Sequence, residues 1–341
     1  MRVLIIKTSS LGDVLHTLPA VSDATSQLPD VRFDWVVEEA FREVPAWHPA
    51  VDTVIPVALR RWKRNPVRVL RAGEPQAAVR QLRSRRYDLV IDAQGLLKSA
   101  AISRFARGRR AGLDRNSARE PVAARAYRMK IAVPRNQHAV DRVRQLFAVA
   151  LGYALPASPP DYGISQRFAS QGRQRYLVFL HGTTWTTKHW PETYWAELAG
   201  MAAAHGLPVK LPWGSETERR RAERIAKVHA SVEVLPRMQL GELAELIAAA
   251  SAIVGVDTGL VHLAAALGTP CITLYGATDP GLIGTLGEAQ VQLQADFECA
   301  PCRRRECRYQ GKAEVFPACY TRLGPERVWA ELAKCPGLIQ P

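Results

Sequence analysis

The chain of 341 residues lacks any uninterrupted apolar run of the roughly 18 residues that a membrane span needs. It does not open on a charged n-region, an apolar h-region and a small-residue cleavage site, because Met1-Arg2 leads directly into a strand-like stretch. A cytoplasmic protein is therefore expected. No period of roughly 20 to 50 residues repeats, which excludes a solenoid. Helix-turn-helix, RNA-recognition and zinc-finger patterns are missing, so a nucleic-acid-binding protein is the weaker explanation of the basic balance. Acid is scarce in one half only. Residues 1–150 carry 14 Asp+Glu against 27 Lys+Arg, net +13, whereas the rest carries 18 against 19, net +1. One lobe should present a positive field, and with it an anionic partner.

With 47% hydrophobic and 23% charged residues the chain can fold, and its length allows two cores of ordinary size. Short apolar runs at 3–7, 32–37, 52–57 and 88–93 alternate with stretches of helical spacing such as 74–87, the pattern of a parallel sheet wrapped by helices. A long helix is expected over 137–153, and the Pro-rich "ALPASPPDYG" (154–163) reads as a linker. Strand-like runs return at 176–182, 209–214, 232–236, 252–257 and 271–276. The chain thus divides into α/β domains over 1–160 and 161–322, with a terminal segment 323–341. In doubly wound sheets ligands bind beyond the carboxyl ends of the strands, and two such domains facing each other make the cleft between them the expected site.

The first strand-to-helix loop, "KTSSLGD", has one glycine, Gly12, followed by Asp13, which would repel a phosphate. Asp13 reads either as a first-turn carboxylate favoured by the helix dipole or as a general base for a hydroxyl, with Lys7 keeping it ionised. In the second half Thr183, Thr184 and Lys188 precede a helix start, an arrangement suited to phosphate. Trp213 offers a stacking wall and Glu218 an acceptor for a ribose diol, while Asp257, Thr258 and Gly259 open a helix toward a diphosphate and His262 lies one turn in. Basic residues read as clustering in loops at 59–65, 95–99, 113–121 and 137–142. Arg60, Arg61, Lys63, Lys98, Arg119 and Arg142 suit a multiply anionic acceptor.

Taken jointly, "KTSSLGDVLHTLPA", "WVVEEAF", "DLVIDAQGLLKSA", "KHWPETYW", "LPWGSETE" and "VDTGLVHLAAALGTPCITLYGATDP" resemble the lipopolysaccharide heptosyltransferases, glycosyltransferases that use ADP-heptose. "RRW", "DAQGLLKS" and "AREP" favour the branch that adds the first inner-core heptose, heptosyltransferase I; heptosyltransferase II or another ADP-sugar transferase of the same fold is the alternative. The resemblance implies a GT-B fold of two Rossmann-like domains, with acceptor on the first, ADP-heptose on the second and the helix in 324–335 crossing back. It implies Asp13 as base toward a hydroxyl of Kdo2-lipid A, assisted by Lys7 and Lys188. Donor positions are Thr183, Thr184, Lys188, Trp213, Glu218, Met238, Asp257, Thr258, Gly259 and His262; Ser10 and Gly12 join the basic residues on the acceptor side. Inverting transfer without cofactor or metal is implied, in agreement with the lack of an Asp-x-Asp pair, as is transient contact with the cytoplasmic face of the inner membrane. Cys299, Cys302, Cys307 and Cys319 have a spacing that could hold zinc, but reduced structural thiols are expected.

Overall fold

A computed structural model describes residues 1–335 and Leu338. The chain separates into two units, Met1–Ile164 and Ser165–Pro341. Each is built on a six-stranded sheet in which every pairing is parallel.

The first sheet contains β1 (Arg2–Ile6), β2 (Arg32–Glu38), β3 (Val51–Val57), β4 (Arg86–Asp92), β5 (Arg107–Leu113) and β6 (Met129–Ile131), in the order β3-β2-β1-β4-β5-β6. The second contains β7 (Gln174–Leu180), β8 (Val209–Leu211), β9 (Val232–Val234), β10 (Ala250–Val256), β11 (Cys271–Tyr275) and β12 (Gln290–Gln294), in the order β12-β11-β10-β7-β8-β9. Read from β9, the second order is that of the first, so both sheets reverse direction beside their first strand: between β1 and β4, and between β7 and β10. The central strands are covered on both faces, which is why they read as continuous apolar runs such as "VLII".

Two kinds of strand escape the sequence pattern. β5, "RGRRAGL", carries three arginines, and its first half alternates exposed and half-buried residues; only its last three residues are buried. β12, "QVQLQ", alternates correctly, but with glutamine in place of charge or apolar bulk. The stretch 59–65, expected as loop, forms a helix over Leu59–Arg64, because Leu59 and Trp62 pack onto the core beside β3.

The division falls at Ile164, four residues beyond the expected boundary, because the linker packs on the first unit. Arg144, in the helix Ala139–Leu151, pairs with buried Asp23 at 2.6 Å and donates to the carbonyls of Pro156 (3.2 Å) and Ser158 (3.0 Å). Gly163 has φ +67°, and a Cβ there would lie 2.5 Å from the His48 ring, so glycine is needed for both conformation and space. The terminal helix Pro325–Leu332, expected to cross back, belongs instead to the second unit: Val328 and Leu332 lie in its core with Trp190 and Trp195.

Candidate active site

At the first switch point the loops after β1 and β4 are stitched together by one side chain. Gln94 Oε1 accepts from the Thr8 and Ser9 amides at 2.9 and 3.2 Å, and its Nε2 donates to the Ser9 carbonyl at 2.7 Å. Gln94 is itself oriented by Asp92, whose Oδ1 accepts from the Gln94 and Gly95 amides. Asp92 is fully buried, and burial pushes its carboxyl up despite these bonds and one from the Tyr127 hydroxyl. Neither Gln94 nor Asp92 stands out in the sequence; both sit in the quoted "DAQGLLKS" neighbourhood, but a stitching role depends on a loop far away along the chain.

Asp13 lies in the short helix Leu11–Leu15. Its Oδ2 accepts from both the amide and the hydroxyl of Ser10, each at 2.8 Å, so half of the carboxylate closes a capping box, a contact beyond the dipole interaction expected of a first-turn carboxylate. Its Oδ1 faces the Lys7 ammonium at 3.5 Å, and the side chain remains 43% exposed. Lys7 is buried and held by the Ala93 carbonyl at 2.9 Å. Burial pushes the Asp13 carboxyl up, but Lys7 and the two Ser10 bonds outweigh it and hold the group below its ordinary value. A carboxylate that is ionised at neutral pH and partly open to solvent is the result. Gly12 is buried beside it, and Lys98 reaches the Ser9 hydroxyl at 3.4 Å.

The other basic residues are less uniform than their sequence suggests. Arg61 is fully engaged by Glu39 (3.1 and 3.0 Å) and Glu74 (2.8 Å). Arg142 donates to the Ser117 carbonyl at 2.8 Å, and burial together with nearby Arg135 lowers its pKa. Arg60, Lys63 and Arg119 are exposed.

The second switch point centres on Asp257, which is buried at the end of β10. Its Oδ2 meets the Lys188 ammonium at 2.7 Å and accepts from the Thr278 hydroxyl at 2.6 Å, while His262 Nε2 stands 3.8 Å from Oδ1. Thr183 donates to its main-chain carbonyl at 3.2 Å. Burial pushes this carboxyl up, yet the His262 contact and the Lys188 charge drive it well below the usual carboxylate range. Loops after β7, β10 and β11 therefore meet at one group, and Thr278 is the member that sequence reasoning missed. Beyond Asp257 the helix Gly259–Ala266 begins at Thr258, whose side chain makes no capping bond, so the first-turn amides are not capped by it. Thr184, in the same loop as Thr183, is exposed.

The loops after β8 and β9 complete this edge. Glu218 uses Oε2 to accept from the Gly214 and Ser215 amides (2.8 and 3.0 Å), as the third residue of a capping box, and its Oε1 lies over Gly182, where a Cβ would come within 2.6 Å. Trp213 is pinned through its indole N–H to the Leu235 carbonyl at 2.6 Å, and Met238 is half-buried just beyond β9. The β7 loop is braced from the Cys-rich segment: Thr187 donates to the Arg304 carbonyl at 2.6 Å and Thr186 to that of Arg305 at 2.8 Å. Cys299, Cys302 and Cys307 line one cavity of that segment. Cys319 is buried, its thiol pushed up to about 12 first by burial and then by the other three cysteines. Among the described residues, no three His, Cys, Asp or Glu side chains form a group that could hold a metal ion.

The family model described as glycosyltransferase family 9 (heptosyltransferase) matches residues 76–313. The chain belongs to glycosyltransferase family 9. It is 54% identical to the lipopolysaccharide heptosyltransferase 1 of Pseudomonas aeruginosa, over 97% of each chain. It superposes with a TM-score of 0.84 and 44% identity on the structure described as Escherichia coli heptosyltransferase WaaC with ADP-2-deoxy-2-fluoro heptose, covering 98% of this chain and 99% of that one. The lipopolysaccharide heptosyltransferase 2 of Salmonella typhimurium is 28% identical over 82% of this chain and 84% of its own. This family 9 chain is therefore a glycosyltransferase. Among the described residues, no helix is long and apolar enough to cross a membrane.

Proposed function

We propose that this family 9 enzyme transfers L-glycero-D-manno-heptose from ADP-heptose to a Kdo residue of Kdo2-lipid A, with inversion. The observation that carries the mechanism is the contrast between the two switch points: one presents an ionised, half-exposed carboxylate, the other an uncapped helix start beside an ammonium. The 54% identity to a lipopolysaccharide heptosyltransferase 1 supports the choice of donor and acceptor.

In this mechanism an acceptor hydroxyl gives its proton to Asp13 Oδ1 as its oxygen forms a bond to the anomeric carbon. The bond from that carbon to the diphosphate breaks, and ADP leaves with the electron pair. The low resting pKa makes Asp13 fully available as base; the arriving acceptor displaces water from it and raises its basicity where proton transfer occurs. Lys188 and the first-turn amides at Gly259 meet the charge that develops on the diphosphate, with no divalent cation. Thr183, Thr184 and His262 border that site, Glu218 Oε1 takes the ribose, and Trp213 and Met238 form the wall for adenine. Ser10, Gly12, Arg60, Lys63, Lys98 and Arg119 receive the acceptor's anionic groups. Because that acceptor is lipid-anchored, the enzyme works at the cytoplasmic face of the inner membrane.

The test is to incubate the protein with ADP-heptose and Kdo2-lipid A, in EDTA, and follow the acceptor by mass spectrometry. One added heptose in the wild type and none with Asp13→Ala supports the reading. Transfer only to an acceptor that already carries one heptose moves the chain to the heptosyltransferase II reaction.

A further inference from the structure

The turn from Cys302 to Arg308, in the Cys-rich segment, sets four arginines beside one glutamate. Main-chain contacts fix it to the loop after β7. Thr186 and Thr187 donate their hydroxyls to the Arg305 and Arg304 carbonyls at 2.8 and 2.6 Å, and the Thr187 amide donates to the Arg305 carbonyl at 3.4 Å. The Tyr320 hydroxyl donates to the Lys188 carbonyl at 3.1 Å, which ties the next residue of the same loop. The Arg305 guanidinium carbon lies 5.6 Å from the centre of the Trp185 ring, and the Lys188 ammonium 4.7 Å from the same centre. Trp185 directly follows Thr183 and Thr184. One indole thus gathers two cations at the loop assigned to the diphosphate.

These cations differ in what answers them. Lys188 meets the Asp257 carboxylate at 2.7 Å, so the pair brings no net charge to the site. Arg303 is tied to Asp279 at 2.9 Å. Arg305 is exposed, and among the described residues no carboxylate stands within ion-pair distance of it. When the bond from the anomeric carbon breaks, its electron pair stays on an oxygen of the outer phosphate of ADP. An unanswered cation stabilises that new charge more than a neutralised one does.

We propose that Arg305 is a further catalytic residue, its guanidinium meeting the outer phosphate of ADP as the heptose leaves it. The planar fork suits two phosphate oxygens, and stacking on Trp185 limits the directions in which it points. The inference rests on the ADP-heptose donor proposed above.

The experiment compares wild type with Arg305→Gln, Arg305→Lys and Arg308→Gln, the last removing a neighbouring exposed charge of the same segment. Calorimetry with ADP and with AMP reads the outer phosphate by difference, and a thermal melt checks folding. Arg305→Gln should bind ADP about tenfold more weakly, with AMP affinity and melting unchanged. Its heptose transfer at saturating donor should fall further, about a hundredfold, because the charge is largest as the bond breaks. Arg305→Lys should recover most of both losses, and Arg308→Gln should match wild type. ADP affinity unchanged in Arg305→Gln overturns the proposal. So does an equal loss of ADP and AMP, which would make Arg305 a support of the loop, or an equal effect of Arg308→Gln, which would reduce it to the general field of the segment. A wild type that binds ADP but transfers no heptose sinks the functional reading, while the comparison of ADP with AMP still decides this one.

Discussion

Asp13→Asn isolates the proposed base with little change of shape. The asparagine carbonyl can still accept from the Ser10 amide and hydroxyl that now bind Oδ2 at 2.8 Å. The amide nitrogen then turns toward Lys7, in place of an oxygen 3.5 Å from the ammonium. The structural cost is about 1 kcal/mol for weakening one helix-end interaction. The loss at Lys7 stays small because its partner is 43% exposed at 3.5 Å, where solvent screens the pair, and the Ala93 carbonyl still holds the ammonium. Loss of a general base slows transfer by roughly 10²- to 10⁴-fold, or about 3 to 5 kcal/mol of barrier. Initial rates by mass spectrometry, beside ADP-heptose affinity by calorimetry and a thermal melt, separate the two effects: the rate should collapse while affinity and melting stay near wild type. The pH profile adds a sign. Asp13 acts as the carboxylate and its pKa is lowered, so the wild-type rate should show no acid limb from this group between about pH 5 and 8. Lys7→Met removes the leading opposing charge and leaves the two Ser10 bonds as the main counterweight to burial, so the pKa rises and the acid limb moves to higher pH. An Asp13→Asn enzyme within about threefold of wild type, or a Lys7→Met profile unmoved on its acid side, would refute the assignment.

Asp257→Asn leaves the Lys188 ammonium, 14% exposed, without its carboxylate. Denaturant unfolding should show a loss of roughly 3 to 5 kcal/mol, and ADP affinity should fall as the Lys188 position relaxes; unchanged stability would mean that solvent already screens the pair. Arg144→Met strands buried Asp23 and two linker carbonyls, with a similar expected cost, and Arg144→Met/Asp23→Leu should recover much of it in the same assay. His48 and His181 are both lowered to about 4, chiefly by burial, with Asp161 opposing at His48 and Arg221 and His189 reinforcing at His181. Each binds fewer protons folded than unfolded, so its contribution is complete above about pH 6.5 and lost as pH falls toward 4, roughly 3 kcal/mol apiece. Unfolding free energies measured from pH 7 to 4.5 should decline, and less steeply in His181→Gln; parallel curves would exclude that histidine.

Local pattern accounts for much of this enzyme. Parallel strands buried on both faces announce themselves as apolar runs, and helix starts as small and hydroxylated residues, because both depend on neighbours within a few positions. That is why β1 to β4 and β7 to β11, the carboxylate after β1 and the Thr183–Lys188 and Asp257–Gly259 loops are legible in the amino-acid sequence by itself. The partners of each charged group are not, since ion pairs form between residues distant along the chain. Arg61 reads as an acceptor contact and is engaged by Glu39 and Glu74; Glu218 reads as a ribose acceptor and uses one oxygen to cap its own helix. Thr278 and Gln94 carry no local signal, yet they join loops that only the parallel sheet order makes adjacent. The arginine-rich β5 and the placement of the terminal helix are likewise settled by packing, in which neighbouring strands or a core face override what the segment alone favours.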